Sequence, residues 1–175
     1  MNDDLHVFGY GSLVDTRTHD HPLIPSKLHG WQRVWREVPG RDFAILSATR
    51  VDKATLDGAV MTVPMASLPD LDAREVMYER ETVEIAGLSH AVTYEVQDHT
   101  PIATKPILRS YLDVVLIGYE TMFGDQAIHQ FYASTTGWNV GILDDRADPI
   151  YPRHRPINSA QAERFDQLHK DLTAL

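Results

Sequence analysis

The chain has 175 residues, 43% of them hydrophobic, which predicts a single domain (1–175) with enough apolar surface for a core. Its 16 basic and 25 acidic residues leave a net charge of −9, which argues against nucleic acid or an anionic membrane as partner, since both need clustered Lys and Arg. Cysteine is absent, which excludes disulfides, Cys-ligated zinc and a thiol nucleophile.

The N-terminus, MNDDLHVF, is acidic where a signal peptide is basic, and no apolar run approaches about 20 residues, so a cytoplasmic protein is expected. Strands are predicted at 5–10, 31–37, 43–49, 57–63, 80–86 and 90–97, rich in Val, Thr, Tyr and Trp and punctuated by Pro39-Gly40 and Gly87. Among them one helix is predicted from about Leu68 to Tyr78, with Ser67 as cap, Pro69 in the first turn and Asp70 favourable to the dipole. A longer helix follows Thr104, with Pro106 in its first turn and Gly124 at its end. A third covers 125–133, and a last one follows Asn158, whose spacing to Gln161 fits a capping box. The segment 134–157 reads as a long ordered loop, a length often used for function. Strands first and helices later predict an α+β fold.

Two features point to chemistry. In the predicted helix, Leu68, Leu71 and Tyr78 share a face, and Glu75 projects into the middle of that stripe. Desolvation raises a carboxylate's pKa towards the range useful to a general base, whereas a salt bridge to Arg74, Arg80 or another basic group at the rim is the purely structural reading. The second feature is VFGYGSL at 7–13, a strand that breaks into Gly-Ser. Such a turn can present several backbone N–H groups to an anion or a developing oxyanion, or it can be a plain tight turn.

Other groupings favour structure. His19-Asp20-His21 could chelate a metal but lies in a polar stretch before Pro22, where a solvated loop is the better reading. Trp31 and Trp35 alternate on a strand and are expected in the core. Arg146, Arg153 and Arg155 cluster in the long loop, either as a surface ion-pair network or as a lid that binds a substrate carboxylate. No metal and no cofactor is called for.

In combination these residues resemble the γ-glutamylcyclotransferase superfamily, which includes the ChaC and AIG2-like proteins. The resemblance rests on VFGYGSL (7–13), LHGWQRVW (28–35), DGAVMTV (57–63), LPDLDAREVMYERETVEI (68–85) and SYLDVVLIGY (110–119), in that order. It implies a small closed or nearly closed mixed β-barrel with surrounding helices. It also implies that Tyr10, Gly11, Ser12 and Leu13 cradle the substrate, that Glu75 is the catalytic acid/base, and that Tyr111 lies near the pocket. Tyr111 as a core residue with a bonded hydroxyl remains the alternative. Residues 125–175 form an extension outside the resemblance.

The implied reaction cyclises a γ-glutamyl amide or amine to 5-oxoproline and frees the amine, a lyase chemistry in which the substrate's own α-amino group is the nucleophile. No Ser, Cys or metal nucleophile is required, which suits this inventory. The implied partner is a small γ-glutamyl compound, and the chain is compatible with a homodimer. Two alternatives stand beside it: a γ-glutamyl group attached to a carrier or protein, and a non-catalytic binding module on the same fold.

Overall fold

Period-two alternation makes the first strand two-faced. In β1 (Asp4–Gly9), Leu5 and Val7 join an apolar cluster with Met61, Val63 and Val92, while Phe8 points into a second, larger cluster. Buried on both sides, β1 is interior to the sheet, antiparallel to β3 (Ala44–Pro64) and parallel to β5 (Leu88–Glu95). The computed structural model describes residues 4–97 and 100–174. In it a six-stranded mixed sheet runs in the order β4 (Glu79–Ile85), β5, β1, β3, β2 (Leu23–Glu37) and β7 (Thr135–Thr136). The sheet curls into a half-barrel surrounded by helices, the barrel-like α+β architecture expected from the sequence. A parallel pair, β6 (Ile107–Leu108) and β8 (Ile142–Leu143), stands apart from it.

Several boundaries differ from the sequence reading. The strands expected at 43–49 and 57–63 are one continuous β3, because its residues 51–54 bulge out where the register with β2 shifts between His29 and Trp31. The charged residues of that bulge look like a strand break in sequence. The helix expected to reach Tyr78 is shorter: α1 spans Leu68–Arg74 and residues 75–77 form a turn. The chain swings out there because the Tyr78 hydroxyl donates to the Leu46 carbonyl, 3.0 Å away, and β4 begins at the next residue. The helix expected after Thr104 begins later, as α2 (Arg109–Phe123). Pro106 and Ile107 are instead drawn into pairing with Ala44 and Gly141.

α2 closes at Gly124, and α3 (Gln126–Ala133) and α4 (Ser159–Thr173) follow, the last with the expected Asn158–Gln161 capping box. All three helices contribute to the larger cluster, which also holds both Trp31 and Trp35. Phe165 of α4 is fully buried in it, so the C-terminal segment is part of the core. α2 presses directly on the turn after β1. A Cβ at Gly118 would lie 2.7 Å from the Asp15 backbone nitrogen, so the absent side chain permits the approach. Among the described residues no helix is long and apolar enough to cross a membrane.

Candidate active site

Beyond Gly9 the chain leaves the sheet and winds into a 3-10 turn, Ser12–Val14. The Val14 N–H donates to the Gly11 carbonyl (3.1 Å) and the Asp15 N–H to the Ser12 carbonyl (3.2 Å). The first N–H groups of such a turn have no acceptor within it. The Ser12 backbone lies close enough to the Tyr111 phenol to act against the rise in its pKa that burial causes. That hydroxyl lies where a side chain would stand on residue 11, only 2.5 Å from the position of a Cβ, so the approach requires glycine. The turn is braced from outside by the Thr18 hydroxyl, whose single proton is shared between the Asp15 (2.9 Å) and Ser12 (3.1 Å) carbonyls, and by His19 Nε2 at 2.9 Å from the Leu13 carbonyl. The other ring nitrogen of His19 accepts from the His21 N–H, so this histidine pair serves the loop backbone.

Tyr10, Gly11, Ser12, Leu13, Glu75 and Tyr111 all line one cavity of about 300 Å³, although the strands β2 and β3 separate Gly11 from Glu75 in sequence. Glu75 is half-buried at the C-terminal end of α1, where its N–H donates to the Leu71 carbonyl (3.0 Å) and its carbonyl accepts from Tyr78 (2.8 Å). Arg80 is committed to Asp72 at 2.6 Å, and the Arg74 side chain lies outside the described residues. The Tyr94 hydroxyl also donates to Asp72, at 2.7 Å.

The phenols around Glu75 stay protonated. Burial is the largest cause raising the pKa of Tyr10, and the charge of Glu75 follows. Tyr78 and Tyr111 are raised well above the ordinary range, first by burial and then by neighbouring tyrosines and Glu75. These side chains are therefore hydrogen-bond donors grouped around one carboxylate. The Tyr10 hydroxyl donates to the Tyr94 carbonyl, and Tyr151 donates to the Ser12 hydroxyl at 2.8 Å. Tyr111 meets Tyr151 edge-on at 5.0 Å and Trp35 at 6.0 Å.

The three arginines proposed as a lid separate. Arg153 lines the cavity, half-buried, with no ion pair or hydrogen bond among the described residues. Arg146 does not line it: its guanidinium holds Asp113 at 2.7 Å and Asp166 at 2.9 Å, bridging α2 and α4. Arg155 also lies off the cavity, donating to the Arg17 carbonyl at 2.8 Å. Buried Asp145 fixes this segment to the start of α2, accepting from the Ser110 N–H (2.7 Å), the Ser110 hydroxyl (2.5 Å) and the Ile150 N–H (2.9 Å). Burial acts to raise its pKa, but these hydrogen bonds outweigh it and hold the carboxyl below the ordinary range. The neighbouring Tyr151 N–H meets the same Ser110 hydroxyl. The clamp thus holds Tyr151 and Arg153 at the cavity.

No protein-family model matches the sequence, and no curated protein is similar to it. Solved structures are similar in shape. A γ-glutamyl cyclotransferase superposes with a TM-score of 0.63 at 14% identity, over 94% of this chain and 99% of that one. A human protein, uncharacterized loc79017, gives the same score, identity and coverage. The chain has the γ-glutamylcyclotransferase-like fold. YkqA from Bacillus subtilis is also similar, with a TM-score of 0.59 and 18% identity over 77% of this chain, which spans about half of YkqA's length, 56%.

On this cyclotransferase-like fold, the cavity wall includes residues that sequence reasoning did not assign to it, Tyr78, Tyr151 and Arg41 among them. The signal for Tyr78 lies in its spacing, three residues beyond Glu75 and on the same apolar stripe. Tyr151 stands between Ile150 and Pro152 in the long loop, and nothing in its local pattern sets it apart from a packing aromatic. Arg41 follows the Pro39-Gly40 turn, which reads as an ordinary hairpin connection.

Proposed function

We propose that the protein is a γ-glutamylcyclotransferase-like enzyme that converts a small γ-glutamyl amide or amine into 5-oxoproline and a free amine. One observation carries this reading: Glu75 and the Tyr10–Leu13 turn share a cavity whose other polar groups are neutral phenols and arginines. The cyclotransferase-like fold adds to it.

The reaction follows from these groups. The substrate's α-amino nitrogen attacks its own γ-carbonyl carbon, a five-membered ring forms, and the γ-carbon–nitrogen bond to the leaving amine breaks. Attack within one molecule needs chiefly the right conformer, and orientation of this kind is worth up to about 7–11 kcal/mol. Glu75 takes the ammonium proton and returns one to the leaving nitrogen. N–H groups of the turn at 11–13 stabilise the tetrahedral oxyanion. Arg153 pairs with the substrate's α-carboxylate.

The reading is tested by a panel of γ-glutamyl amino acids, γ-glutamyl amines and glutathione, assayed for 5-oxoproline. Turnover of at least one is expected. Binding of a γ-glutamyl compound with no 5-oxoproline from any of them identifies a binding module instead. Within the same assay, Arg153→Ala is expected to raise KM about tenfold or more with little change in kcat, as for an interaction made equally in ground and transition states. Arg155→Ala, off the cavity, leaves KM unchanged. Equal KM for wild type and Arg153→Ala removes this arginine from the binding role.

A further inference from the structure

Tyr119 of α2 does not line the cavity, yet its hydroxyl lies 2.8 Å from the Tyr10 carbonyl. The Asp57 carbonyl is equally near, at 2.7 Å, but already accepts from Arg33 Nη1 at 2.8 Å. A phenol has one proton to give; the Asp57 carbonyl already has a donor in Arg33, whereas the Tyr10 carbonyl takes its side-chain hydrogen bond from Tyr119. Burial pushes the Tyr119 pKa up to about 12 against the opposing Arg33 charge, so the proton is present at neutral pH. Arg33 Nη1 donates to the same phenol oxygen at 2.6 Å, which polarises the O–H and strengthens its donation.

Arg33 is a buried cation of unusual placement. It is 1% exposed, stacks between the rings of Tyr119 (4.9 Å) and Phe131 (4.7 Å), and has no carboxylate partner among the described residues. Its remaining donors meet the hydroxyls of Thr135 (3.1 Å) and Ser134 (2.7 Å). Arg33 and Tyr119 also contribute to the wall of a second cavity of about 270 Å³, but the guanidinium is turned into the core, where its charge acts on the dipoles around it. The dipole in line is the Tyr10–Gly11 peptide. In a trans peptide the C=O and the following N–H point in opposite directions. Holding the Tyr10 carbonyl towards α2 therefore turns the Gly11 N–H the other way, on a residue that lines the catalytic cavity.

We propose that Arg33 and Tyr119 are positioning residues, a charge-assisted relay from the core that fixes the peptide plane presenting the Gly11 N–H to the developing oxyanion. The inference rests on the cyclisation reading above. Tyr119→Phe removes one oxygen and keeps the ring packing against Phe123 and Phe131. It is measured beside Arg33→Lys, which retains a cation but loses the forked donor set. In both, the Gly11 amide resonance is expected to shift and its hydrogen exchange to quicken. With the best substrate of the panel, kcat falls about tenfold at nearly constant KM, less than the roughly 10²–10³-fold cost of losing an oxyanion donor outright. An unmoved Gly11 amide in both folded variants overturns the proposal, whatever happens to the melting temperature. A wild-type protein without turnover sinks the cyclisation reading instead, and the Gly11 resonance still decides whether the relay sets the peptide.

Discussion

Glu75→Gln is expected to lower kcat by about 10²–10⁴-fold, the usual contribution of a general acid–base group. Glutamine preserves the size of the side chain, and the hydrogen bonds to Leu71 and from Tyr78 are made by the backbone of this residue. The turn after α1 therefore survives the substitution. What disappears is the ability to accept the ammonium proton of the substrate at neutral pH. KM changes little, because the lost step belongs to the transition state. The competing account, in which Glu75 serves only an ion pair, predicts the opposite pattern: a lower melting temperature with turnover per folded molecule near wild type. Melting temperature and 5-oxoproline release from one preparation separate the two. A stable and fully active Glu75→Gln protein assigns the proton transfer to another group.

Gly11→Ala is expected to cost about 10²–10³-fold in kcat/KM, comparable to losing one oxyanion donor. The added Cβ would stand 2.5 Å from the Tyr111 hydroxyl, and one of the two must yield. Tyr111 cannot swing aside freely, because Trp35 and Tyr151 meet its ring edge-on. Either the phenol is displaced or the turn shifts and misdirects its N–H groups. Overpacking of this kind also lowers stability by about 1–3 kcal/mol. The double variant Gly11→Ala, Tyr111→Phe removes the clashing oxygen, leaving the nearest ring carbon 3.8 Å from the new Cβ. It should regain the melting temperature without regaining full turnover, a coupling that a double-mutant cycle measures. Wild-type kcat/KM in the single variant rules out the close approach as a functional constraint.

Much of this arrangement was legible in the chain itself. The Val, Phe and Tyr of LHVFGY identified a strand, and Asn158-x-x-Gln161 located the last helix. Glu75 and Gly11 stood out as residues that break a local rule, a carboxylate on an apolar stripe and a glycine where a strand ends. Such signals are local, set by periodicity and side-chain chemistry over a few neighbours, and they depend little on what packs against them.

Other features depend on distant partners and were set only by the tertiary structure. The β3 bulge exists because β2 runs alongside it, and α2 starts late because Ala44 and Gly141 claim the backbone of Pro106 and Ile107. The loop arginines are alike in sequence, yet Asp113 and Asp166 hold Arg146 away from the cavity while the Asp145 clamp leaves Arg153 at its wall. Arg33 looks like a solvated strand residue until Tyr119 and Phe131 enclose it. Long-range hydrogen bonds and ion pairs select among residues of identical type, and their partners lie up to 139 positions away, as Tyr151 and Ser12 do. The sequence alone therefore nominated the chemistry, and the packing of α2 and the C-terminal loop against the β1 turn decided which residues surround it.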